Sequence, residues 1–372
     1  LERFQQHGGN MKILYDGFIF QMQRAGGINR YFAEIISGLP ADYHPLITQA
    51  RNLGRHAPSH PNLTRPRFPL FRLGRLGLGL HHLMWKPLVL RGINLFHPTY
   101  YALTRGYSLA DFKCPMVLTV HDFIHAVYPK QIAGSDRAIN YQTEAIQRAD
   151  FVICVSKATE NDLLERFPEK GGKSMVIHHG SSYETQPPLA NEAIFENPTF
   201  LFVGGRSGYK NFLFLLRVFA KASESNPRIR LRVAGMPLST EERRQIHMLG
   251  VSDKVAASDY PNEEDLMALY RSSVALVYPS LHEGFGMPPL EAMACRTLAI
   301  TSNTTSLPEV VGDGGIMLDP TRENDWIECL LKTAQGGADR DLVIERGVER
   351  VRGFSWQRSV EQHLGVYRRM AA

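Results

Sequence analysis

The chain has 372 residues, 44% hydrophobic and 21% charged, with a formal net charge of +5. This is ordinary globular composition, enough for two cores, and no apolar run approaches the ~18 residues of a membrane span, so a transmembrane protein is not expected. The positive sign points to an anionic partner (nucleotide, nucleic acid or acidic membrane face) without choosing among them.

Leu1 to Asn10 carry no secretory signal, read as an added or frayed extension before Met11, and are set aside. Lys12 to Asp16 reads as an opening strand. Gly26-Gly27 follows, then an amphipathic helix through Ile35, Ile36 and Leu39. Paired glycines between strand and helix let backbone approach a ligand closely, although a plain flexible turn uses the same residues. Short strands are expected at Leu46–Thr48, Ile93–His97, Met116–Val120, Phe151–Val155 and Met175–His178, mostly separated by helical stretches. That alternation implies a largely parallel sheet covered on both faces. His97, His121-Asp122 and Ser156 stand at strand exits, where open α/β sheets collect their active-site residues. His121 can equally be a satisfied structural histidine.

The composition shifts to Pro and Asn between Glu184 and Pro198, a candidate linker. A second β/α series begins at Thr199. Arg206 and Lys210 follow its first strand, before a helix from Phe212 to Ala222. A guanidinium fork and a point charge suit two anionic oxygens, but most such side chains are simply solvated. Further strands are expected at Arg230–Gly235, Val255–Ala257, Val274–Ser280, Thr297–Thr301 and Gly315–Leu318, and a last helix at Trp356–Met370.

The stretch from Glu283 to Glu291, Glu-Gly-Phe-Gly-Met-Pro-Pro-Leu-Glu, follows the Val274–Ser280 strand and opens a helix in which Pro288 or Pro289 takes a first position. Strand, glycine-containing turn and helix N-terminus together make an anion site. Two carboxylates flank it, Glu283 in the loop and Glu291 in the first helical turn. Carboxylates repel phosphate, so their partners are hydroxyls. A sugar-nucleotide carries hydroxyls on both sides of its diphosphate. An ordinary loop with Glu291 complementing the helix dipole is the other reading. Asp339-Arg340-Asp341 is the sole Asp-x-Asp string and reads as a helix start rather than a metal site. Cys114, Cys154, Cys295 and Cys329 form no Cys-x-x-Cys pair, which suggests reduced thiols and a cytoplasmic protein.

Taken in order, Asp16-Gly17 with Gly26 to Tyr31, Thr119-Val120-His121-Asp122, Val155 to Thr159, Val203 to Arg206 with Lys210-Asn211, and Glu283 to Glu291 resemble the retaining glycosyltransferases of family 4, over nearly the whole chain after Met11. The resemblance implies an α/β GT-B fold, two Rossmann-like domains facing each other across a cleft. Residues 11–187 would be the acceptor-side domain, 188–355 the donor-nucleotide domain, and 356–372 a helix crossing back to the first. It implies that Arg206 and Lys210 hold the donor diphosphate, Glu283 the sugar hydroxyls and Glu291 the ribose. Phe285, Gly286, Met287, Pro288 and Leu290 would line the donor, Gly26 and Gly27 would approach the phosphate, and His121 would sit beside the sugar. Pro261-Asn262 and Asn29 depart from the pattern. No cofactor or metal is implied, because the cations and helix end can stabilise the departing diphosphate.

The Asp16-Gly17 and Thr-Val-His-Asp version resembles mannosyltransferases of polysaccharide assembly. The expected activity is therefore hexose transfer, mannose from GDP-mannose, to a glycan or lipid-linked acceptor. A sugar-nucleotide epimerase or hydrolase of the same fold, or a non-catalytic sugar-nucleotide-binding protein, are the alternatives. No basic tract interleaved with stacking aromatics suggests a nucleic-acid partner. Residues 65–91 carry six cations, Arg65, Arg67, Arg72, Arg75, Lys86 and Arg91, among many apolar side chains and no acid. Such a stretch suits peripheral contact with the inner face of an anionic membrane, or else a helix packed on the sheet.

Overall fold

The computed structural model describes residues 11–23, 26–48, 56–66, 84, 86–183, 185 and 196–372. Two compact units emerge. The first takes the chain to Ala126, then Gly134–Gly180 and Trp356–Ala372; the second takes Val127–Ala133 and Ser181–Ser355.

In the first unit, strands β1 (Met11–Tyr15), β2 (Tyr43–Ile47) and β3 (Leu95–Phe96) pair in the order β2-β1-β3. Strands β4 (Val117–Val120), β5 (Phe151–Cys154) and β6 (Ser174–Val176) pair in chain order, and a parallel bridge between Phe96 and Met116 joins the two sets. The period-2 alternation of a strand divides the core. Ile13, Tyr15, Val117 and Ile153 pack on one face, and Leu14, Leu118, Val120 and Val152 on the other. Both faces are covered, which is why these strands read as continuous apolar runs.

The helix Trp356–Ala371 belongs to this first unit, with Val360, Leu364 and Tyr367 in its core. A buried polar chain also holds it. His363 Nδ1 lies 2.7 Å from the Ser359 carbonyl, which can only accept, so this nitrogen carries the proton. Burial lowers both His363, to about 4, and His97, so both rings are neutral. One direction then satisfies every bond. Tyr15 donates to Tyr367 (3.2 Å), and Tyr367 to His97 Nδ1 (2.7 Å). His97 Nε2 donates to Thr119 (2.9 Å), Thr119 to Tyr31 (2.8 Å), and Tyr31 to His363 Nε2 (2.5 Å).

The second unit has one six-stranded parallel sheet of β7 (Thr199–Val203), β8 (Arg230–Gly235), β9 (Val255–Asp259), β10 (Ala275–Tyr278), β11 (Leu298–Ser302) and β12 (Ile316–Leu318), ordered β12-β11-β10-β7-β8-β9. The order reverses between β7 and β10, the switch point where such sheets bind nucleotides.

The chain passes between units at Gly180, ahead of the 187/188 boundary drawn from composition. Ser181 already pairs with Ser355 and its N–H reaches the Phe354 carbonyl at 3.0 Å, so backbone pairing, which composition does not report, claims it for the second unit. Residues 184 and 186–195 of the expected linker lie outside the described residues.

Candidate functional site

The switch point of the second unit gathers most of the expected site. Past β7, Gly204 (φ 118°) turns the chain through the left-handed region. A Cβ on Gly235, at the β8 exit, would lie 2.8 Å from the Gly204 carbonyl, so the two exits approach too closely for a side chain. Arg206 is gripped on two sides. Its Nε donates to Glu242 Oε1 at 2.7 Å and its Nη2 to the Pro237 carbonyl at 2.8 Å. Glu242 also closes the capping box of the helix Thr240–Met248 with Ser239. Burial raises the Glu242 carboxyl, but the bonds from Arg206 and Ser239 outweigh this and hold it below the usual range. The Arg206 side chain is only 6% exposed, and its Nη1 is buried without a hydrogen-bond partner. A cationic donor left in that state is costly, and an anionic ligand oxygen would satisfy it.

Lys210 is held differently. Its Nζ lies 2.7 and 2.9 Å from the two oxygens of Glu283 and 2.9 Å from the Tyr278 hydroxyl. Lys210 and Glu283, assigned separately to phosphate and sugar, form one ion pair here, with side chains 14% and 8% exposed. Burial, then the Glu283 charge, pushes Tyr278 well above the usual phenol range, so it stays neutral. Tyr128, in the short segment Val127–Ala133 of the same unit, stacks on Tyr209 with ring centroids 6.1 Å apart.

The helix after Glu283 starts at Met287, with Gly286 (φ 114°) as its cap. Gly286 needs its glycine twice: for the left-handed φ, and because a Cβ would lie 2.9 Å from Leu307 Cδ2. Two expectations change here. Pro288 is the second helical residue, not the first, and Glu291 is the fifth, more than a turn inside. Pro288 and Pro289 also have no N–H, so of the first three helical residues only Met287 can donate. The helix end is a weaker anion site than its position implies. Glu291 is buried, and its Oε2 accepts from the Tyr270 hydroxyl at 2.8 Å. Phe285 turns its ring onto Phe354 (centroids 5.9 Å apart) and accepts from Ser306 Oγ at 2.7 Å through its carbonyl. Leu290 is fully buried, its N–H directed to the Gly286 carbonyl at 3.4 Å, so the structure gives it a packing role. Met287 and Pro288 are half-buried.

In the first unit, Gly26 is extended (φ 174°) and Gly27 opens the helix Gly27–Ser37. Neither conformation demands glycine. A Cβ on Gly27 would meet nothing within 4 Å, while one on Gly26 would meet the movable Gln23 side chain. Asn29 is buried, with Nδ2 on the Gln23 carbonyl at 3.2 Å. His121 exits β4, its ring edge-on to Tyr31 at 5.2 Å. Burial drives its pKa down to about 3, and its Nε2 is buried without a partner. It is a neutral hydrogen-bonding group rather than a charge. Asp16, at the β1 exit, accepts from the Thr99 and Thr104 N–H groups (2.7 and 3.2 Å), from the Thr99 hydroxyl (2.9 Å) and from the Phe18 N–H (3.1 Å). Burial nonetheless raises it to about 6. Its hydrogen bonds make it a clasp for the β1 exit.

Asn262 is the helix cap of Glu263–Arg271, accepting from the Asp265 N–H at 2.8 Å, which accounts for that departure from the pattern. Asp339 and Asp341 lie in the first turn of Ala338–Val351. Among the described residues no three His, Cys, Asp or Glu side chains group as for a metal ion, and no helix is long and apolar enough to cross a membrane. All four cysteines are free. Residues 67–83 and 85 of the basic stretch lie outside the described residues. Lys86 is not a spare cation: its Nζ is 2.6 Å from Asp111.

Sequence reasoning missed Tyr270, Tyr278, Glu242, Thr305 and Ser306, each of which touches a site residue. Only Glu242 left a signal, the Ser-x-x-Glu box, and that predicts a helix cap rather than a hold on Arg206.

Residues 190–349 match the family described as "Glycosyl transferases group 1", and residues 25–184 match "Glycosyltransferase Family 4". The chain is 32% identical to a D-inositol 3-phosphate glycosyltransferase of Actinosynnema mirum, over 84% of this chain and 73% of that protein. It is 26% identical to O-antigen chain mannosyltransferase B of Escherichia coli, over 76% and 75%. Its fold is similar to that of a sucrose-phosphate synthase from Thermosynechococcus elongatus, at a TM-score of 0.76 and 22% identity, over 96% of this chain and 98% of that one.

Proposed function

This chain belongs to the group 1, family 4 glycosyltransferases of GT-B fold, and from that premise we propose that it moves mannose from GDP-mannose, with retention, to a glycan or lipid-linked acceptor. The observation that carries the reading is the pairing at the β7/β10 switch point. An immobilised guanidinium with one unsatisfied nitrogen stands on one strand exit, and a Lys210–Glu283 pair spans the two.

Arg206 and Lys210 take the diphosphate oxygens, Glu283 turns to the sugar hydroxyls, and Glu291 takes the ribose. Phe285, Gly286, Met287 and Pro288 line the donor, and Gly27 leaves room for backbone approach. As the bond from sugar C1 to the diphosphate breaks, negative charge grows on the leaving oxygens, where the cations stabilise it. The acceptor oxygen bonds C1 on the same face, and its proton passes to the leaving phosphate. His121, neutral with a free Nε2, hydrogen-bonds the sugar rather than moving a proton. No metal is required.

The E. coli relative is named for mannose transfer, which supports the sugar; guanine as the base rests on the resemblance of the Asp16-Gly17 and Thr-Val-His-Asp pattern to polysaccharide mannosyltransferases. A membrane-bound acceptor gives the basic stretch a purpose, with Leu88 exposed within it.

The test is a thermal-shift screen over GDP-, UDP- and ADP-sugars, followed by nucleotide release with and without a lipid-linked glycan acceptor in excess chelator. The expected result is stabilisation by GDP-mannose and acceptor-dependent GDP release. Release independent of acceptor would favour a hydrolase or epimerase, stabilisation by a UDP- or ADP-sugar alone would replace the donor, and rescue by Mn²⁺ would refute metal independence.

A further inference from the structure

Four non-glycine residues described in the second unit have a left-handed φ, Asn211, Tyr260, Arg296 and Thr305, and of these Thr305 alone is β-branched. It is held at φ 50°, in the left-handed region, where glycine or asparagine is the low-cost choice. It is exposed, so packing does not demand threonine. Glycine at this position loses one interaction that threonine makes: Thr305 Oγ1 accepts the Glu283 N–H at 3.0 Å. The neighbouring Ser306 Oγ lies 3.0 Å from the Glu283 carbonyl and 2.7 Å from the Phe285 carbonyl. Further back, Ser302 and Thr304 both donate to the Ser280 carbonyl, the latter at 3.1 Å. Hydroxyls on the β11 exit thus hold the β10 exit along its backbone from Ser280 to Phe285. Glu283 is held by its N–H on Thr305 while its side chain grips Lys210; the single Ser306 proton goes to the nearer Phe285 carbonyl and leaves the Glu283 carbonyl the longer contact.

We propose that Thr305 is a positioning residue for Glu283: its strained backbone is retained because the hydroxyl fixes the Glu283 peptide, and so the carboxylate, relative to Lys210. Strain kept at an exposed position, where a relaxed residue would fit, has the character of a functional constraint. The proposal rests on the reading of Glu283 as a donor-sugar contact.

The experiment compares Thr305→Gly, Thr305→Ser and Glu283→Gln as full chains. Thr305→Gly removes the strain and the hydroxyl together, so stability and function move apart. Its melting temperature should hold or rise. Its kcat for whichever of GDP-mannose, UDP-glucose or ADP-glucose the wild type turns over should fall at least about tenfold, the factor that ~1.4 kcal/mol makes in a barrier. Thr305→Ser, which keeps the oxygen, should stay within about twofold of wild type. Amide exchange reads the contact itself, whichever donor proves right: the Glu283 N–H should exchange faster in Thr305→Gly and not in Thr305→Ser. Wild-type kcat in Thr305→Gly while Glu283→Gln is crippled overturns the proposal. So does unchanged Glu283 exchange, or a fall in melting temperature that activity merely follows. Full activity in Glu283→Gln would instead sink the reading of Glu283 beneath it.

Discussion

Lys210→Met should destabilise the second unit far more than an ordinary surface substitution. The Lys210 ammonium sits on both Glu283 oxygens, at 2.7 and 2.9 Å, and the carboxylate side chain is only 8% exposed. Removing the cation leaves a largely desolvated charge beside the Tyr278 hydroxyl, which also loses its donor. Breaking such a pair from one side costs about 3–5 kcal/mol. The lower end applies here, because neither side chain is completely sealed. For a unit of this size each kcal/mol shifts the melting temperature by about 2–4 °C, so a fall of roughly 6–12 °C is expected. Lys210→Met combined with Glu283→Gln removes both charges at similar volume and should recover most of that loss, while activity stays lost. Differential scanning calorimetry of the single and double variants, read on the second unit's transition, measures the coupling. If Lys210→Met melts within a degree or two of wild type, or the two single effects simply add, the pair is not formed in solution and the account of the site fails.

Arg206→Lys should bind GDP-mannose more weakly and lose roughly 2–4 kcal/mol of transition-state stabilisation, because a single ammonium lacks the planar fork whose separate nitrogens reach Glu242, the Pro237 carbonyl and a ligand oxygen; steady-state kcat/KM checks this. Glu291→Ala should weaken binding of GDP alone, while Glu283→Ala spares it and damages transfer; calorimetry showing equal losses would contradict the split. Acid should unfold the first unit. His97, His121, His179 and His363 have folded pKa values depressed by burial, so the stability they contribute is complete above about 6.5 and falls below it, each by up to about 1.4 kcal/mol per pH unit. Asp16, raised to about 6, has the opposite sign: it favours the fold at low pH and loses that contribution as pH rises through 6, so it offsets about one histidine. Far-UV circular dichroism between pH 7 and 4 should show stability falling, and His363→Gln should flatten the slope; a pH-independent first unit would refute this.

The sequence alone determined the order and kind of nearly every element, because those depend on side-chain period and on local capping. Strands such as Val117–Val120 and Ala275–Tyr278 announce themselves as apolar runs because both sheet faces are covered. The absence of N–H groups at Pro288 and Pro289 was equally legible, being a property of the residue type alone. The candidate site residues also came from sequence, through motifs whose order along the chain is itself local information. Tertiary structure decided which side chains meet. Lys210 finds Glu283, Arg206 finds Glu242, and Glu283 finds Thr305, because strands distant in sequence deliver their exits to one edge of a sheet whose order reverses between β7 and β10. No period or propensity encodes that reversal. It follows from how crossover connections close over both faces, and the partners, strain and unsatisfied nitrogen of the site follow from it in turn.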